Sequence, residues 1–153
     1  MDDYAAVVMK KRWLWLCIAL LVCNVAFIWG NSALPAHISA SISGFVRDIV
    51  SLVMDGGGGG EATVGEGVLR KIAHFLEFSC LGLLFFWLYS MLNKPWFYGF
   101  GCGVAVACVD ETIQRFVPGR GPRITDVLLD SAGVACGMAV LLLCVTIYQK
   151  KKK

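Results

Sequence analysis

The sequence predicts an all-α fold: an integral membrane bundle of four transmembrane helices plus one extracytoplasmic amphipathic helix in the interface, as a single domain over 1–153. Three observations predict it. The chain is 58% hydrophobic, well above the roughly 45–50% of soluble domains. Its apolar residues gather into four runs, 13–30, 72–92, 96–113 and 127–148, each of a length to cross a hydrocarbon core about 30 Å thick at about 1.5 Å per residue. Its basic residues cluster at the two ends of the chain, as topological signals do.

The first run follows Lys10, Lys11 and Arg12 and carries Trp13, Trp15 and Trp29 near its borders. It has a long core and no clean small-residue cleavage site after it, so it reads as an uncleaved anchor rather than a signal peptide. The next stretch, 38–54, repeats Ile38, Ile42, Phe45, Val46, Ile49, Val50 and Val53 on one helical face, with Ser39, Ser43, Arg47, Asp48 and Ser51 on the other. A helix this short and this polar on one side lies in the interface and packs on the bundle. Asp55 and five glycines, Gly56 to Gly60, then open a flexible loop over 55–67. The second and third runs are joined by the tight turn Asn93-Lys94-Pro95, the third and fourth by Val117-Pro118-Gly119-Arg120-Gly121-Pro122. Gly99, Gly101 and Gly103 in the third run, and Gly133 and Gly137 in the fourth, allow close helix approach in lipid. The seven cysteines scatter through the apolar runs without ligand spacing and read as small hydrophobes.

The net charge of +3 does not point to nucleic acid, because the charge sits at the chain ends. Eight basic residues (Lys10, Lys11, Arg12, Lys94, Lys150 to Lys153) fall on the side of the termini and six (Arg47, Arg70, Lys71, Arg115, Arg120, Arg123) on the other. The positive-inside rule therefore puts both termini of a multi-pass membrane protein in the cytoplasm, with the polar loops outside.

On that outer side, polar residues collect on single helical faces. Arg70, His74 and Glu77 are four and three residues apart, with Lys71 beside them; Asp110 shares a face with Gln114, and Glu111 a second face with Gln114 and Arg115; Arg123, Asp126 and Asp130 align at three and four. Charged groups facing lipid near mid-membrane cost about 2.5 kcal/mol or more each, so the three faces turn inward and form a pocket. The plainest alternative is a set of structural ion pairs at helix ends, such as Asp126 with Arg120, with Asp126 also favoured by the helix dipole. Against it, a His, several carboxyls, a Gln and several Arg exceed what capping needs. They suit acid/base chemistry, and the Arg residues suit a phosphate or carboxylate. A divalent cation held through His74, Glu77 and Asp110 or Glu111 is the less favoured reading, since His-x-x-Glu spacing is common; no cofactor or metal residue is assigned.

Together these segments resemble the VanZ-like family of bacterial membrane proteins. The motifs are Lys71-Ile-Ala-His74-Phe75-Leu-Glu77-Phe78, then Asp110-Glu111-Thr-Ile-Gln114-Arg-Phe116-Val-Pro118-Gly119-Arg120, then Asp126-Val127-Leu-Leu-Asp130-Ser-Ala-Gly133 with Gly137. Ser32, Ser39 and Ser43 are loosely similar to the family's serine-bearing loop. The Gly56–Gly60 insertion and Phe78, where a Tyr is usual, depart from the pattern without touching its polar positions. The resemblance implies a compact multi-span protein linked, through the family's namesake, to low-level teicoplanin resistance. It marks His74, Glu77, Asp110, Glu111, Gln114 and Asp126 as candidate catalytic residues and Lys71, Arg120 and Asp130 as candidate substrate-binding residues. Two function classes follow. One is a membrane hydrolase or transferase acting on an anionic, lipid-linked envelope component; the other is a non-catalytic binder or scaffold that sequesters antibiotic or lipid. Expected partners are membrane lipids and a lipid-linked cell-wall precursor or glycopeptide, with no nucleic acid.

Overall fold

A computed structural model describes residues 2–35, 66–121 and 123–152. Among them are four helices and no strand: α1 Asp2–Ala33, α2 Glu66–Met91, α3 Trp96–Gln114 and α4 Ile124–Lys151. The interfacial helix expected over 38–54 lies outside the described residues, as does the glycine-rich loop 55–67 except its last two residues, which already belong to α2.

Each helix reaches beyond the apolar run that predicts it at one end or both, most of all α1. Backbone hydrogen bonding continues past the apolar runs, and the added turns carry Lys10, Lys11 and Arg12 on α1 and Arg70 and Lys71 on α2. Three helices contain segments long and apolar enough to cross a membrane, Lys10–Ala33, Gly67–Met91 and Ile124–Lys151. The 19-residue α3 is the shortest; Asp110 and Glu111 interrupt its apolar stretch near the end.

The helices alternate in direction. Trp13 of α1 meets Trp87 near the end of α2, with ring centroids 6.2 Å apart. Tyr89 of α2 stacks on Tyr98 of α3 at 6.3 Å. The turn between them is a Schellman motif: Asn93 takes φ 52°, its N–H donates to the Ser90 carbonyl at 3.2 Å, and the Lys94 N–H donates to the Tyr89 carbonyl at 2.9 Å. Pro95 follows and cannot continue α2. At the other end of the bundle α1 and α3 finish while α2 and α4 begin.

The parallel pair α2 and α4 makes the closest contact. Glycine is what permits it. A Cβ on Gly82 would run into the backbone carbonyl of Val134, one on Gly137 into that of Ser79, and one on Gly133 would stand 2.7 Å from the Phe75 carbonyl. Gly103 lets α3 seat against Val134, whereas Gly101 faces open space. Around this seam lies a small core of Cys17, Leu21, Ile28, Phe78, Leu81, Ala107, Val134 and Met138. Phe27, Leu76, Leu128 and Leu143 are exposed on the outer surface, where lipid suits them.

Candidate functional site

The polar residues meet where α1 and α3 end and α2 and α4 start, and their inward turn matches the helical spacing in the sequence. Asp110 is 0% exposed, Asp130 2%, Glu111 5% and Gln114 6%, while His74 and Glu77 are half-buried beside them. His74 from α2, Asp110 from α3 and Asp130 from α4 place one ligating atom each within 4.8 Å of one another.

Each buried group is held by a partner far away in sequence. Asp110 Oδ2 accepts from Ser32 Oγ and from Gln114 Nε2, both at 2.8 Å, and Gln114 Nε2 also approaches Ser32 Oγ at 3.3 Å. Glu77 Oε1 accepts from Asn31 Nδ2 at 2.9 Å. Glu111 Oε2 accepts from the backbone N–H of Arg123 at 2.9 Å; Arg123 is the residue before α4, so this carboxylate caps that helix's start. Asn31 and Ser32, at the end of α1, are the contributors the sequence reading left outside its candidate set. Ser32 is fully buried although it adjoins a loop. Its only sequence signal is the weak likeness to a serine-bearing loop.

The remaining candidates lie at the rim. Val117 to Arg120 is a turn closed by the Arg120 N–H on the Val117 carbonyl at 3.1 Å, with Pro118 in the second position and Gly119 at φ 78° in the third, the geometry of a type II turn. That turn swings Arg120 back over α1. Its Nη1 donates to the Ser32 carbonyl at 3.2 Å and its Nη2 to the Asn31 carbonyl at 3.3 Å, so the guanidinium satisfies carbonyls that the end of α1 leaves open. Burial first, and then the like charge of Arg70, draw the Arg120 guanidinium below its ordinary pKa, while Asp110 and Glu111 act in the opposite sense. Asp126 lies in the first turn of α4 and pairs with Lys71 across 3.6 Å, not with Arg120 as the ion-pair alternative supposed. Lys71 is half-exposed there.

Among the described residues, several polar atoms in the buried cluster have no hydrogen-bond partner: His74 Nδ1, Glu77 Oε2, Asp110 Oδ1 and Glu111 Oε1. His74 Nδ1 and Glu77 Oε2 are 3.8 Å apart, beyond hydrogen-bond range. Beside them is a narrow cleft with a cavity volume of about 10 Å³, lined by Arg70, Lys71, His74, Glu111, Asp126 and Asp130 among others. That is room for about one water-sized group. All nine sequence-predicted residues thus reach one end of the bundle. Chemically, the arrangement offers proton acceptors inside and cations at its rim.

A family model described as VanZ/LLP1 matches residues 15–145, a range that holds every residue of the cluster. No curated protein and no solved structure matches the chain.

Proposed function

The chain belongs to the VanZ/LLP1 family over residues 15–145, and from that premise we propose that it acts on an anionic, lipid-linked component of the bacterial cell envelope and thereby influences tolerance to the glycopeptide teicoplanin. In this reading α3 is a fourth crossing, both termini are cytoplasmic, and the polar cluster faces outward within the cytoplasmic membrane. The carrying observation is a set of buried polar atoms without partners among the described residues, beside a cleft rimmed by Arg70 and Lys71. An uncompensated polar group in an apolar bundle costs free energy that helix capping does not require. Glu111 is the group for proton transfer, since its Oε1 has no hydrogen-bond partner among the described residues, and His74 lines the cleft beside it. Lys71 and Arg70 draw the anionic group to the cleft. Gln114 and Ser32 position Asp110.

A non-catalytic binder or scaffold is the second reading, favoured by the engagement of Arg120 and Glu111 at helix ends. Susceptibility to teicoplanin and vancomycin, measured in a susceptible Gram-positive host at matched membrane abundance, separates the two. The intact chain should raise teicoplanin tolerance, and His74→Gln or Glu111→Gln should abolish it. Gln at 111 keeps an acceptor for the Arg123 N–H, so the cap survives that change. Graded weakening by both variants would favour the binder; unchanged tolerance in both would overturn the pocket as the functional site.

A further inference from the structure

The cluster concentrates negative charge where little water reaches. Asp110 and Asp130 are almost fully buried on facing helices, with Glu111 beside them and Glu77 half-buried nearby. Among the described residues the nearby Lys and Arg side chains form no salt bridge with these carboxylates: Arg120 donates to the carbonyls of α1, Lys71 pairs with Asp126, and Arg70 lines the adjoining cleft. Carboxylates this close repel, and their burial without a directly paired counter-charge is unfavourable.

Three further observations converge on one point. His74, Asp110 and Asp130 come from three different helices, and their ligating atoms all lie within 4.8 Å of one another. Two of the three residues carry an atom with no hydrogen-bond partner among the described residues, Asp110 Oδ1 and His74 Nδ1. The neighbouring void, about 10 Å³, suits a monatomic or water-sized occupant.

We propose that His74, Asp110 and Asp130 bind one divalent cation of the Mn²⁺ or Zn²⁺ class. One imidazole and two carboxylates make a donor set of intermediate hardness. Mg²⁺ and Ca²⁺ prefer oxygen alone, and softer ions prefer thiolate. Bonds of about 2.0–2.2 Å bring adjacent ligand atoms to roughly 3–3.5 Å, so the side chains close inward by an ångström or so around the ion. Ser32 and Gln114 hold the far oxygen of Asp110 and so aim Oδ1 at the cation, the outer support that metal-ligating carboxylates commonly receive. The cation neutralises the cluster and leaves room in its coordination for an anionic ligand. This site is independent of whether the protein is an enzyme or a binder.

Mn²⁺ is the probe, because the chain's seven thiols would also take Zn²⁺. The full chain, purified in detergent and stripped with chelator, is titrated with Mn²⁺ and the free ion is followed by its six-line electron paramagnetic resonance spectrum. About one equivalent per chain should disappear from the free signal, and Zn²⁺ should release it. His74→Gln and Asp130→Asn should abolish this binding, while Ser32→Ala, which removes only a support, should weaken it about 10-fold. An undiminished free signal with the unmodified chain overturns the proposal without reference to any variant. So does binding that His74→Gln and Asp130→Asn leave intact. The susceptibility assay is read separately: Mn²⁺ binding without teicoplanin tolerance overturns the resistance reading and keeps the cation site, and tolerance without binding does the reverse.

Discussion

Ser32 and Arg120 show how the end of α1 is built into the site. Ser32 donates to a carboxylate that is 0% exposed, 78 residues away. Ser32→Ala leaves that oxygen with Gln114 alone, and loss of a hydrogen bond to a buried charged group costs about 1–3 kcal/mol. Thermal unfolding in detergent should show that loss as a lower midpoint. Arg120 uses two separate nitrogens on two successive carbonyls. A lysine presents a single point of charge in place of that fork. Arg120→Lys should therefore restore little of what Arg120→Ala removes. Hydrogen exchange of the last turn of α1 reads this directly: both variants should open that turn more readily, by about 1 kcal/mol for each hydrogen bond lost.

Among the helices, the α2–α4 seam sets the geometry on which the site depends. His74 and Asp130 stand one turn or less from the residues where Gly133 touches α2. An added methyl at Gly82 or Gly137 meets main-chain carbonyl, which has no rotamer by which to yield. Gly82→Ala and Gly137→Ala should each destabilise by about 1–3 kcal/mol, the usual range for overpacking, and should move α2 away from α4. Gly101→Ala faces open space and gains helix propensity, so it should be neutral or stabilising by up to about 1 kcal/mol. A comparison of the three unfolding midpoints in one detergent tests the seam; equal effects at 82 and 101 would contradict it.

At the level of the whole molecule, the alternating helices put the aromatic rings of Trp13, Trp87, Tyr89 and Tyr98 at one end and the polar cluster at the other. The first resembles an interfacial belt next to Lys10, Lys11, Arg12 and Lys94. With the belt on the cytoplasmic face, green fluorescent protein fused after the last residue should fluoresce and alkaline phosphatase fused there should be inactive. Phosphatase joined after Gly121 should be active. The reverse pattern would place the cluster in the cytoplasm and remove the envelope reading, while leaving the cation site untouched.

The sequence by itself determined the helical class, the positions of the four described helices and nine polar residues that gather at one end of the bundle. Those features depend on local quantities: the length of an apolar run, a period of 3.6, the turn chemistry of Asn93 and of Pro118-Gly119. Tertiary structure alone decided which polar groups meet. Lys71 rather than Arg120 faces Asp126, Asn31 and Ser32 complete the site from 46 and 78 residues away, and Gly82 proves as necessary to the seam as the paired glycines of α4. No spacing within a helix encodes such contacts. They arise because parallel and antiparallel neighbours close to backbone contact, and that approach fixes which side chains share the last few ångströms at the end of the bundle.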